Sequence, residues 1–414
     1  MVNPNHVTLN HGGVPRLPRV CVGWAGRAAR ALTTLVSASV LAAGALTLAP
    51  APARAEDAIT TQEYFSYYHL DAARAKGYTG KGVTIALIDG PVDTSVPELK
   101  GANIIDKSRC TIEASTQGRI HASDMASILV SPYFGVAPDA TLYSYQITTP
   151  STISRGTCES TGKNLDTMPA LINQAIDDGA QIISISQGGD NNSESVKWAV
   201  ARAMSKGVIV VNSAGNTGSD NNADQLSHWS GVVGVSAITP TGERADYSSW
   251  GNGVVTSAVG GPFKTRSYDD PTKPAESNGT SNSAALVSGM LALALQKWPD
   301  ATANQILQVL VATGLNPNHE WNPYTGYGAI NGGALVNTDP SQYPDENPLA
   351  QKQGGSSPTA EEVQNYADGL VDLAALTFDG SFVYRGTDET LVLLAELGTP
   401  NPVHLGTSPR YHRK

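Results

Sequence analysis

The sequence predicts an α/β protein: a three-layer sandwich in which a mainly parallel central sheet is covered by helices on both faces. Three observations carry the prediction. Residues 83–88, 141–147, 181–186, 207–213 and 231–238 are short β-branched runs, apolar almost throughout, as strands buried on both faces must be. Helical apolar spacing at 165–178 and 196–206 separates some of them, the alternation expected of parallel strands joined by helices. No internal repeat is visible, and 414 residues with 40% hydrophobic and 15% charged content suit one large globular domain with extra ends.

The ends read differently. Residues 1–55 hold Arg16, Arg19, Arg27, Arg30 and Arg54 and no acid. Arg27 and Arg30 precede an apolar stretch at 31–48, and Ala53-Arg54-Ala55 follows it. That is the order of a secretory signal peptide, although the stretch could nearly span a bilayer as an uncleaved anchor. Its Ala, Ser and Thr content and the small-x-small site favour removal, leaving no stable membrane anchor. The long basic region leaves the true start codon open. The globular domain is expected over 56–337. Residues 338–362, with Pro340, Pro344, Pro348, Gly354, Gly355 and Pro358, read as a linker, and 363–414 as a tail of unknown role. Within the tail, a helix near 363–376, a strand at 382–386 and a helix at 389–397 are expected.

Removing residues 1–55 takes five of the 27 basic residues and none of the 37 acidic ones, so the remainder carries a net charge near −15. With no basic tract, the composition argues against nucleic acid as a partner. Cys21 leaves with the signal. Cys110 and Cys158 form an even pair in an oxidising compartment, which predicts a disulfide; two buried free thiols are the alternative. No metal-ligand spacing is visible.

The chemistry concentrates in four places. NGTSNSAALVSG, 278–289, is either a turn before a buried helix or a nucleophile, Ser281, on a helix's first turn. In the second case, free backbone N–H groups and the positive helix end face any oxyanion formed on a substrate. Asp89 ends the first strand, His121 lies at the start of a helical stretch at 119–129, and Asn216 follows an apolar strand. Each has an ordinary reading, as a turn-forming Asp, a surface or capping His and a loop Asn. Together they supply an orienter, a base, an oxyanion donor and a nucleophile. The order Asp, His, Ser is one known arrangement of the serine triad.

In these motifs the chain resembles the subtilisin-like serine peptidases (subtilases, peptidase family S8) over about 64–337. GKG before VTIALID, GVAPDATLY (135–143), GAQIISISQGG (179–189), GVIVVNSAGN (207–216), GVVGVSAI (231–238), NGTSNSAALVSG and YTGYGAINGGALV (324–336) occur in family order. The resemblance implies a subtilisin-like fold, with Ser281 as nucleophile, His121 as general base and then acid, and Asp89 fixing the imidazole. It further implies that the Asn216 amide, the Ser281 N–H and Thr280 hold the oxyanion. Ser186, Gln187 and Gly188 would pair with extended substrate, and Ser213, Ala214 and Gly215 would line the pocket for the residue before the cut, a sizeable non-acidic side chain.

The chain departs from the family pattern in several places. His121-Ala122-Ser123-Asp124 replaces the usual His-Gly-Thr, Gly90-Pro91 follows the orienter, and Asn282 and Leu286 replace the common Met and Pro after the nucleophile. Asp124, one helical turn from His121, is expected to raise the base's pKa. Only 24 residues, 56–79, separate the signal from the domain's opening motif, too few for a sizeable inhibitory prosegment. Calcium is common in the family and 218–225 is rich in oxygen ligands, but no ligand set of the right spacing is present and no cofactor is expected. The expectation is a secreted serine endopeptidase acting on protein or peptide substrates, with the narrow choice of a processing enzyme. A catalytically silent, peptide-binding relative is the alternative. The oligomeric state is not legible.

Overall fold

A computed structural model of the chain describes residues 58–161, 163–188, 193–220, 225–317, 320–352 and 356–368, and four short strands beyond them. The expected signal at 1–55 and helix at 389–397 lie outside the described residues, as do 221–224 of the oxygen-rich stretch at 218–225.

Two short helices, α1 (Glu63–Tyr67) and α2 (Leu70–Ala75), lead into the sheet. Its strands are β1 (Thr84–Asp89), β2 (Ile104–Asp106), β4 (Thr141–Gln146), β6 (Ile182–Ile185), β7 (Ile209–Ser213), β8 (Val232–Ile238) and β9 (Val254–Val259). The short pair β3 (Glu113–Ala114) and β5 (Thr152–Ser154) stands apart from it. The seven strands run in the order β2-β4-β1-β6-β7-β8-β9, and every neighbouring pair is parallel.

Alternation along β1 shows how the layers form. Ile85 and Leu87 join the core beneath α3 (Thr116–Val130) and α7 (Thr280–Lys297). Ala86 and Ile88 face the other way, toward α5 (Met168–Asp177) and α6 (Glu194–Ser205). All four are fully buried, and each large aliphatic contributes roughly 1.5–3 kcal/mol of transfer free energy. This is the expected three-layer sandwich with a parallel sheet. Helix α7 is buried nearly all round, because Ala284, Ala285, Leu286, Val287, Leu291 and Ala292 surround its axis. It passes so close to Val136 that a Cβ on Gly289 would lie 2.5 Å from the valine's Cβ. Strand order reverses at β1, which has β4 on one side and β6 on the other. Chain leaving the carboxyl ends of β1 and β6 therefore meets at a switch point, the usual place for a site in such sheets.

After β9, the hairpin β10 (Phe263–Arg266) and β11 (Pro274–Ser277) delivers the chain to α7, and α8 (Ala303–Ala312) and α9 (Gly332–Asn337) follow. Cys110 and Cys158 are joined in a disulfide. It ties the chain before β3 to α4 (Gly156–Ser160), with Ile112 and Leu165 packed around it.

The linker reading of 338–362 is corrected. Its prolines and glycines suggested a loose chain, but anchors hold the segment against the domain. Leu349 is buried, Ser230 N donates to Ser357 O at 2.7 Å, and Gly231 N donates to Leu349 O at 2.8 Å. Lys352 is buried with its Nζ donating to the carbonyls of Ser227 (2.6 Å) and Gly253 (3.0 Å). Helix α10 (Ala360–Asp368) then packs on α6, where Lys197 joins Glu362 at 2.8 Å. Beyond it, β12 (Val371–Asp372) pairs with β14 (Pro402–Val403), and β13 (Phe382–Tyr384), at the start of the expected 382–386 strand, pairs with β15 (Tyr411–Arg413). No helix among the described residues is long and apolar enough to cross a membrane.

Candidate active site

Asp89 is the last residue of β1, 1% exposed. Helix α3 crosses close to this strand end: a Cβ on Gly90 would lie 3.0 Å from the Gly118 carbonyl and 3.8 Å from the Ala122 Cβ. Glycine at 90 thus makes room for the Gly118 carbonyl, and Ala122 beside it is fully buried. Ser115 caps α3 by accepting from Gly118 N, so the helix begins earlier than the sequence suggested and His121 sits in its second turn. The result is a 3.0 Å contact between His121 Nδ1 and Asp89 Oδ1.

Burial, the largest influence on the His121 pKa, pulls it down, but the charge and hydrogen bond of Asp89 and the charge of Asp124 together raise it above the ordinary value. Burial pushes the Asp124 carboxyl up to about 7, against the opposing effects of a hydrogen bond from Thr265 and the charge of His121.

Ser281 is the second residue of α7, in the turn whose N–H groups lack a carbonyl one turn earlier. Its Oγ donates to the Ser186 carbonyl at 3.0 Å, and the Ser186 hydroxyl donates to the Ser281 carbonyl at 3.2 Å. The next residue, Gln187, places Nε2 2.6 Å from Asp89 Oδ1 and 3.4 Å from His121 Nδ1. Two consecutive residues beyond β6 therefore touch the nucleophile candidate and the Asp–His pair.

Asn216 emerges exposed after β7, where Gly215 turns the chain with φ +101°, a conformation that suits glycine. Ser213 and Ala214 are buried just before it. Thr280, expected to help hold the oxyanion, bonds to Asn216 and Gly215. Its N–H and hydroxyl both donate to Asn216 Oδ1, at 2.9 and 3.0 Å, and its hydroxyl accepts from Gly215 N at 3.1 Å. Fully buried, with both polar hydrogens engaged, Thr280 fixes the Asn216 amide and leaves Nδ2 as the available donor.

Cavities flank these groups. One of about 480 Å³ is lined by Gln187 and Gly188 and by Ile147, Thr148, Arg155 and Met168. Its wall is stiffened by a bidentate pair, Arg155 Nη2 to Asp166 Oδ1 at 2.6 Å and Nε to Oδ2 at 2.9 Å. The other, about 300 Å³, lies between α3 and the β10–β11 hairpin and includes Asp93, Glu98, Asp124, Lys264 and Ser277. Sequence reasoning named Gln187, Gly188 and Asp124 but missed the rest of both walls. Thr148, Arg155 and Asp166 sit in an ordinary polar run whose only signal was its place after a strand. Among the described residues, no group of three or more His, Cys, Asp or Glu side chains is arranged to hold a metal ion.

A buried carboxylate–imidazole pair and a serine at a helix N-terminus, gathered at one end of a parallel sheet, suit the chemistry of a hydrolase, and comparison with known proteins agrees. The subtilase family profile matches residues 80–328, more than half of the chain, and the chain belongs to that family. It is a serine endopeptidase acting on protein or peptide substrates. Subtilisin DY from Bacillus licheniformis is 29% identical over 268 residues, 63% of this chain and 93% of the relative. Subtilisin E from Bacillus subtilis is 28% identical over 273 residues, 63% of this chain and 67% of the relative. MycP1 from the ESX-1 type VII secretion system superposes with a TM-score of 0.54 at 26% identity, covering 69% of this chain and 87% of MycP1.

Proposed function

We propose that the chain is a secreted processing endopeptidase of narrow substrate choice that cleaves through Asp89, His121 and Ser281. The observation that carries this reading is the 3.0 Å Asp89–His121 contact, linked to Ser281 through the adjacent residues Ser186 and Gln187. Asp89 holds the tautomer with hydrogen on Nδ1, leaving Nε2 to accept the Ser281 proton as Oγ attacks the scissile carbonyl. The Asn216 Nδ2 and the Ser281 N–H receive the oxyanion. His121 then gives its proton to the leaving amine, and water repeats the sequence to free the acid.

An extended peptide pairs with the backbone of 186–188. Its acyl side lies toward the Gln187–Met168 cavity and the 213–215 turn, and its leaving side toward Asp124. The restricted walls on both sides support narrow choice, and the signal-like order of residues 1–55 supports secretion. No cofactor is needed, because these groups supply nucleophile, base and oxyanion donors.

A silent peptide-binding role is the second reading, favoured by the Ser281 hydroxyl being turned to Ser186. A fluorophosphonate probe decides. The peptidase reading expects covalent capture at Ser281 that disappears in His121→Ala; absence of capture in the unmodified protein supports the silent reading.

A further inference from the structure

Backbone pairing with substrate asks nothing of the side chain at position 187, yet the Gln187 amide reaches into the Asp–His pair. Asp89 Oδ1 accepts from three donors: Gly90 N at 2.7 Å, His121 Nδ1 at 3.0 Å and Gln187 Nε2 at 2.6 Å. Asp89 Oδ2 is buried and takes no hydrogen bond from the described residues. A carboxylate oxygen offers about two lone pairs, so the third donor competes with the imidazole. The amide's positive end also lies 3.4 Å from His121 Nδ1, where it opposes a charged ring. Gln187 is half-buried and lines the large cavity with Met168 and Gly188, so one side chain belongs both to the groove wall and to the orienter's contacts.

We propose that Gln187 is a positioning residue for the base: by sharing Asp89 Oδ1 with His121 it sets how strongly Asp89 favours the imidazolium, and it links that strength to occupancy of the peptide groove. The inference rests on the triad reading above. The other charges facing His121 are Asp89 on β1 and Asp124 on its own helix. Beyond Asp124, Glu98 is paired with Arg266 at 2.7 Å. On the groove side, Arg155 and Asp166 neutralise each other. Arg119, two residues before His121, donates to the Ala114 carbonyl at 2.5 Å. The Gln187 amide is thus an uncharged control placed among mostly paired charges.

Gln187→Met keeps side-chain length and groove wall and removes both amide donors. The rate of fluorophosphonate capture at Ser281 is followed against pH, alongside kcat and KM on a cleaved peptide. Loss of the competing donor strengthens the pull of Asp89 on the imidazolium, so the acid limb moves up by about half a pH unit or more. Below the limb kcat falls by about threefold for each half-unit of that shift. Gln187→Leu, which likewise lacks an amide donor, moves the limb in the same direction. Capture with an unmoved limb in both variants, or a change in KM alone, overturns the proposal and leaves Gln187 a groove residue. Absence of capture in the unmodified protein overturns the triad reading and this proposal with it.

Discussion

The Ser281 hydroxyl donates its hydrogen to the backbone carbonyl of Ser186 at 3.0 Å. A hydroxyl has one hydrogen to give, so this bond and proton transfer to His121 exclude each other. A peptide laid along 186–188 presents an N–H that takes the same carbonyl and returns the hydroxyl to the base. A substrate N-methylated at the residue before the cut lacks that N–H. It should show kcat/KM lower by about tenfold or more, with kcat sharing the loss. Equal kcat for the two substrates would refute the release step.

Removing the nucleophile or base, as Ser281→Ala or His121→Ala, should lower kcat by about 10⁵–10⁶, because the groups act as a unit. Steady-state turnover of a cleaved peptide checks this, and the double variant should be scarcely worse than either single one.

Thr280 and Asn216 are coupled through both Thr280 donors. Asn216→Ala should cost about 10²–10³ in kcat. Thr280→Val keeps the N–H and removes the hydroxyl, loosening the amide without deleting it, so the loss should be smaller, about tenfold. A Thr280→Val loss as large as that of Asn216→Ala would mean that Thr280 meets the oxyanion itself.

The Asp124 charge raises the His121 pKa, and turnover needs the neutral ring. Asp124→Asn should therefore move the acid limb of kcat/KM to lower pH. Because the Asp124 carboxyl titrates near 7, the unmodified protein changes its own base strength around neutrality, each deprotonation hinders the other, and its limb should be shallower than that of the variant. An unchanged pH profile would remove Asp124 from the account.

Burial lowers the Lys352 pKa to about 7, from an ordinary 10.5. Between these values the unfolded chain binds a proton that the folded chain has released, so stability rises with pH from about 7 to 10.5 and falls as pH drops through that window. Urea midpoints measured at pH 7 and pH 9.5 should show this gain in the unmodified protein. Lys352→Met should flatten it; an equal gain in both would place the ammonium outside the buried site.

The legible part of this protein was whatever repeats a local rule. Strands at 83–88 and 231–238 were readable because both faces of a central strand are apolar. Strand β9, VVTSAV, hid its register behind Thr256 and Ser257, which are buried polar residues; Thr256 bonds the Gly328 carbonyl. Asp89, His121, Asn216 and Ser281 were recoverable because family motifs hold them in order. The true partner of Thr280, the reach of Gln187 and the docking of Lys352 were not. Each depends on contacts between residues 64 or more positions apart, and a polar side chain carries no mark of which distant group it will meet.

The Cys110–Cys158 crosslink acquires a meaning from where it lies. Helix α4, which carries Cys158, runs between Arg155 and Asn164, both on the wall of the larger cavity. Asp89 and Ser281 lie outside the loop that the bridge closes, whereas α3 with His121 lies inside it. In a molecule whose thiols are still reduced, the cavity rim at Arg155 and Asn164 and the helix carrying His121 would both be less firmly tied, and oxidation would tighten the two together.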